Sequence, residues 1–239
     1  MKQNIEQAIK ELAKGNFILV YDVDGREEEV DLVVLAEKVT PNHVYKLRHD
    51  AGGLICVAMH RNIADRLGLP FMAEIYSKVL NDYTIFNKIA PDVACPYGDK
   101  PSFSVTINHN KTYTGITDRD RALTINEFGK LGGTIYRNGA SQKYKDLFGQ
   151  SFRAPGHTHL LIAAKNLLKE RLGHTELTVS LAYIGELTPV TVLCEMLDGE
   201  TGKALSLKNA EKYALEHKLV MVEGNEILEA FMEFEDSRS

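Results

Sequence analysis

Apolar positions along this chain switch repeatedly between helical and extended spacing. Ile5, Ala8, Ile9 and Leu12 recur at three- and four-residue intervals, so an amphipathic helix is expected, capped by Asn4 and ended by Gly15. Residues 17–21 and 32–36 are short, wholly apolar runs of buried-strand length, and a polar turn separates them. Thr40 and Pro41 open a second helix, a hydroxyl cap followed by proline at the first helical position, which should close near Gly52 and Gly53. A strand follows at 54–58. Residues 70–101 carry Pro70, Pro91, Pro96 and Pro101 and read as an irregular excursion, after which 103–107 alternates as a strand. The polar, glycine-containing stretch 129–149 reads as an exposed insertion. Helices are then expected at 160–172 and 176–187, a strand at 190–194, a helix capped by Ser206 through His217, a strand at 219–222 and a last helix at 225–234. Such alternation predicts an α+β (mixed α/β) fold, a mixed β-sheet with helices packed on both faces in three layers, as one domain over 1–239.

Composition narrows the function. The 239 residues are 44% apolar and 26% charged, as in an ordinary folded protein, and no run approaches the roughly 18 apolar residues that span a bilayer. The N-terminus is polar and then amphipathic, unlike a signal peptide. A formal net charge of −5 argues against a nucleic-acid partner but not against an anionic substrate, since a few arginines and a metal set the local field. Cys56, Cys95 and Cys194 are scattered, which supports neither a disulfide framework nor a zinc cluster and suggests the cytoplasm.

Chemistry concentrates in four segments. Asp22, Asp24, Glu27, Glu28, Glu29 and Asp31 place six carboxylates within ten residues. So dense a patch must face water or a hard cation such as Mg²⁺, and Arg26 within it is suited to gripping a phosphate or carboxylate. Arg171-Leu172-Gly173-His174-Thr175-Glu176 joins two expected helices, with Thr175 as N-cap. Its glycine and arginine suit a phosphate cradle. His157 follows the Pro155-Gly156 turn and is a candidate acid–base group. Glu195 ends an apolar strand, where a carboxylate needs a partner and where sheets bind ligands. Each segment alone also reads as ordinary surface or turn.

Together these segments resemble one family, the 3,4-dihydroxy-2-butanone-4-phosphate synthases of riboflavin biosynthesis, in their short archaeal form. The resemblance rests on Asp22…Arg26-Glu27…Glu29…Asp31, Asp50-Ala-Gly-Gly-Leu-Ile-Cys56 and Thr114-Gly-Ile-Thr…Asp120-Arg-Ala122. It continues through Arg153…Pro155-Gly-His157, Arg171…Gly173-His-Thr-Glu176 and Glu195. It implies a lyase that converts D-ribulose 5-phosphate into formate and L-3,4-dihydroxy-2-butanone 4-phosphate, acting as a homodimer. Mg²⁺ would be required, two ions per subunit, with Mn²⁺ able to substitute. Carried over by position, Glu27 and His174 would be metal ligands. Arg26, Glu27, Asp31, Arg171, Leu172, Gly173, His174, Thr175 and Glu195 would bind substrate, and His157 and Glu195 would be catalytic. Among Asp31, Glu195 and His157, any could be the base that takes a proton beside the carbonyl. The chain departs from the family pattern at Glu28, where a small or amide residue is usual, at Val30, and at Thr158-His159, and residues 132–150 look like a surface insertion. Competing readings are another Mg²⁺-dependent sugar-phosphate enzyme and, against the charge balance, an RNA-binding module.

Overall fold

A computed structural model describes residues 2–23, 25–90 and 101–238. Asp24, Cys95, Pro91 and Pro96 lie outside the described residues. The chain begins with Gln3–Lys14 (α1), whose Ile5, Ala8 and Leu12 are fully buried and whose end is turned by Gly15 at φ 87°. The cap is Lys2; Asn4 sits inside the first turn and donates to Met221 O (2.9 Å). Strands Ile18–Tyr21 (β1) and Val30–Leu35 (β2) follow, then Pro41–Lys46 (α2), with Thr40 and Pro41 in the expected capping roles. A single π-helical turn, Leu47–Ala51, continues α2 and ends at Gly52 with φ 90°. Next come Cys56–Met59 (β3), Arg61–Leu67 (α3), Met72–Lys78 (α4) and Phe86–Ile89 (α5); α4 and α5 bury no residue, in keeping with an excursion.

Phe103–His109 (β4) leads into Asp118–Asn138 (α6) and Gln142–Ser151 (α7). The expected insertion at 129–149 is thus the second half of one helix plus another. Gly129, Gly132 and Gly133 are buried because α6 presses there on Ala36, Val190 and Thr188. Small residues at that contact, not exposure, account for the glycine content.

Residues 160–172 are not a helix. Phe152–Ile162 is a strand (β5), and only a short 3-10 turn, Leu167–Lys169, follows. Leu160 and Ile162 pack into one helical layer and Leu161 into the other, so the inner part of β5 is covered on both faces and reads as a continuous apolar run. Periodicity alone does not separate such a strand from a buried helix. His174–Ile184 (α8), Val190–Glu195 (β6), the hairpin Leu197–Asp198 (β7) and Lys203–Ala204 (β8), Leu207–His217 (α9), Val220–Glu223 (β9) and Gly224–Asp236 (α10) complete the chain. Ser206 caps α9 as expected.

Seven strands form one sheet in the order β4-β5-β3-β6-β2-β1-β9. β3–β5 and β1–β9 are parallel and the other pairs antiparallel, so the sheet is mixed. One face packs on α2, α3, α6 and α9, the other on α1, α8 and α10, giving the three layers. Along β2, Val30, Leu32 and Val34 face the first layer, while Val33 and Leu35, and Asp31 with them by strand alternation, face α8. That parity points a carboxylate at the start of α8.

At the opposite end of β3, His60 caps α3 by accepting the Asn62 N–H at Nδ1 (3.1 Å), packed between Tyr136 and Tyr183. Burial, and then Arg66, depress its pKa from 6.5 to about 4. The unfolded chain therefore binds the proton first, and stability present above pH 6.5 is lost as pH falls toward about 4. His60→Asn keeps a capping oxygen and should shrink that acid-driven loss by up to roughly 3 kcal/mol, read as the difference in unfolding free energy between pH 7 and pH 4.

Candidate functional site

The acidic turn is shaped by Asp22. Its carboxylate accepts from the Val23 N–H (2.7 Å), the Glu27 N–H (3.0 Å) and Arg26 Nη1 (3.0 Å), and it is 1% exposed. These bonds wrap the chain back toward β2 and turn Glu27 inward. Glu28 adopts φ 56°, a left-handed conformation that small or amide residues take more easily than glutamate. This gives the unusual residue at that position a local backbone cost.

Glu27 Oε2 lies 3.5 Å from His174 Nδ1 and 3.0 Å from Arg26 Nη1. On the other side of the ring, His174 Nε2 faces Asp31 Oδ1 at 3.9 Å. Among the described residues neither of those two buried atoms has a hydrogen-bond partner. Burial raises the Asp31 pKa to about 7, helped by repulsion from Glu195, Glu29 and Glu27. Burial alone would lower that of His174, but the surrounding carboxylates, Asp31 foremost, outweigh it and raise it to about 9. Burial and the neighbouring carboxylates also raise Glu29. The pocket thus carries an excess of negative charge that draws a cation, be it a proton or a metal. One ligand atom each from Asp22, Glu27 and His174 lies within 4.8 Å of the others. The oxygen-and-imidazole donor set and the two unpartnered atoms fit a divalent cation.

His174 is the first residue of α8, whose cap is Gly173, not Thr175. Thr175 is buried one residue deeper, and Leu172 packs against the core beside α8. A Cβ on Gly173 would overlap the Arg171 guanidinium and come within 2.9 Å of Arg26 Nη2. Two guanidiniums therefore converge on the helix N-terminus, where the dipole also favours an anion. Arg171 is tied to Glu176, a fully buried carboxylate that also accepts from the Ala164 N–H (2.9 Å).

Glu195 pairs with Asp31 across β6 and β2. Its Oε2 accepts from the Leu54 N–H (2.8 Å) and its backbone oxygen from the Gly53 N–H (3.0 Å). A side chain on Gly53 would overlap that carboxylate, so glycine is required there for close approach. The turn is bolted further by Tyr213 Oη donating to Asp50 Oδ2 (2.7 Å).

His157 lies at the same end of the sheet but is not in the cluster. β3 separates its strand from β6, which places it about 10 Å or more from Glu195. It sits in β5 past a cis Ala154–Pro155 bond, not on the way into a helix, and its ring meets Asn108. Asn108 escaped the sequence reading, and Gly53 and Leu54 entered it only within the 50–56 motif, without a role. The glycine pair before a strand was the available signal for the last two; none pointed to Asn108.

Fold and site define a class, an α+β enzyme with an oxygen-rich cluster that could hold a cation where its sheet meets the start of a helix. The model of the family described as 3,4-dihydroxy-2-butanone 4-phosphate synthase matches residues 6–230, and the chain belongs to that family of riboflavin-biosynthesis lyases. It is 46% identical to the synthase of Methanothermobacter thermautotrophicus over 96% of each chain. The crystal structure of the Candida albicans synthase superposes with a TM-score of 0.71 at 28% identity, covering 94% of this chain and 95% of that one. A synthase solved in complex with two magnesium ions gives 0.70 at 25% identity, covering 92% and 93%. Among the described residues no helix is long and apolar enough to cross a membrane.

Because Arg171 and Glu176 are a buried pair beside His174, Glu176→Ala should cost about 3–5 kcal/mol of stability by urea unfolding, far more than removal of an exposed carboxylate.

Proposed function

We propose that this site converts D-ribulose 5-phosphate into formate and L-3,4-dihydroxy-2-butanone 4-phosphate, the reaction of its family. The observation that carries the reading is the buried pair His174 Nε2 and Asp31 Oδ1, without a hydrogen bond among the described residues and ringed by carboxylates. Such a pair is costly unless a cation or a ligand satisfies it. Glu27 and His174 would hold Mg²⁺, with two ions per subunit; a relative solved in complex with two magnesium ions supports magnesium as the metal. With one imidazole among oxygens, Mn²⁺ substitutes. When bound, the metal polarises the carbonyl and hydroxyl oxygens of the sugar.

The chain's own groups do the rest. Arg26 and Arg171, with the backbone of 171–175, take the phosphate at the start of α8. Asp31 and Glu195, neighbours across the ladder, face the sugar. Asp31, with a pKa of about 7, can take up and return a proton at neutral pH. One oxygen of Glu195 is held by the Leu54 amide, which leaves the other to serve the sugar. His157 is the further catalytic group, and its ring must reach the sugar from the far side of β3. We read the chain as one domain, since the family match and the seven-stranded sheet both run nearly end to end. A cytoplasmic homodimer is the assembly we infer, acting on a small sugar phosphate without nucleic acid or membrane. Tyr113 and Ile116, exposed beside Asn108 and Gly115, offer apolar surface for a second copy.

Ribulose 5-phosphate with Mg²⁺ should release formate, and a chelator should stop it. No formate with the metal present would overturn the assignment. Glu27→Gln, which removes one ligand charge, should abolish turnover and weaken Mg²⁺ binding at least about tenfold in a direct titration; unchanged affinity would remove Glu27 from the metal site.

A further inference from the structure

We propose that Asn108 locks His157 into the tautomer protonated at Nε2, so that this histidine serves the site as a hydrogen-bond donor and not as the proton-abstracting base. The inference rests on the reading that His157 works in the active site, and the structure supplies its chemistry.

Asn108 stands on β4 and is 3% exposed. Its Oδ1 accepts from the His157 backbone N–H (2.9 Å). Its Nδ2 faces the Thr114 carbonyl (3.4 Å) and His157 Nδ1 (3.1 Å). The amide cannot be turned over. In the flipped form its NH₂ would oppose the His157 N–H and its oxygen would oppose the Thr114 carbonyl, two like-against-like contacts in place of two hydrogen bonds. Nor can the side chain swing away. A Cβ on Gly115, which holds φ 96°, would overlap the Asn108 amide, and one on Gly156 would overlap the Ile107–Asn108 backbone. Two glycines thus allow the chain to close around the amide on both sides.

With Nδ2 fixed as a donor, ring Nδ1 must accept. A neutral imidazole carries one proton, so that proton is on Nε2. The exposed edge of the ring therefore presents N–H, with no lone pair to take a proton from carbon. The step beside the carbonyl then belongs to a carboxylate. The C–H bond breaks, its electron pair moves toward the carbonyl oxygen, and the proton goes to an oxygen of Asp31 or Glu195. His157 donates Nε2–H to a substrate oxygen on which charge builds. Of the three candidate bases in the sequence, two remain, and Asn108 becomes a positioning residue for the third.

The test is long-range proton–nitrogen NMR of the ¹⁵N-labelled full-length enzyme at neutral pH, with His157→Ala assigning the ring. The expected spectrum shows an unprotonated Nδ1 and a protonated Nε2. A ring protonated at Nδ1, alone or as imidazolium, overturns the proposal without any variant. Asn108→Asp, nearly isosteric, offers only acceptors, so the ring should invert to Nδ1–H. Turnover should then fall at least about tenfold while KM for ribulose 5-phosphate moves less than about threefold. An inverted ring with normal turnover overturns the donor role. If His157→Ala itself keeps a normal rate, the placement of His157 in the active site fails, whatever the tautomer.

Discussion

Everything at this site depends on one constraint, that charge removed from water must be answered by charge. Asp31 and His174 face each other across 3.9 Å with no hydrogen bond between them, both nearly sealed from solvent. Strand parity drives the carboxylate into that position, and the first turn of α8 drives the imidazole there. Neither can retreat without turning a strand or unwinding a helix. The surrounding carboxylates then make the pocket attractive to any cation, while two guanidiniums converge a few residues away. Opposite charges are thus held apart by one short stretch of helix start, an arrangement that suits the proposed substrate, with a phosphate at one end and polar oxygens at the other.

Within that frame the backbone performs as much work as the side chains. Asp22 spends its carboxylate on two amides and a guanidinium, and is therefore a former of the turn more than a donor to a metal. Glu195 is aimed by the amide of Leu54, and Asn108 aims His157 through its amide. Glycines at 53, 115, 156 and 173 are the places where something must come closer than a Cβ permits. The precision of the site comes from fixed peptide groups pressed against functional ones.

Much of this was legible in the sequence because it is local. The caps at Thr40 and Ser206, the stripe of α1 and the six-carboxylate turn all depend on neighbours a few residues away. The layer order followed from alternation. What was not legible depends on distant contacts. Residues 160–162 are a strand only because β3 and β4 flank them, and the glycines of α6 look like a loop until Val190 and Thr188 are brought against them. Thr175 has the chemistry of a cap, yet Gly173 takes the role because two guanidiniums fill the space a side chain would need. Asn108 and His157 lie 49 positions apart and share no sequence signature. Glu27 and His174 could be joined only through a family resemblance.

The π-turn at Leu47–Ala51 has a consequence for how this protein can change. A π-turn holds one residue more than the α-turn it interrupts. Deleting a single residue there would let the helix continue smoothly, and the helix itself would lose little. The chain beyond it would nevertheless arrive at the sheet one position out of step. Gly53 would no longer face Glu195, and a bulkier neighbour would take its place. Insertions and deletions are usually tolerated in loops and punished in strands. Here the intolerant position is inside a helix, whose last turn meets both neighbours of Glu195, the Leu47 carbonyl accepting from Cys194 and Gly52 bridging Met196, so a comparison of active-site residues alone would not reveal it.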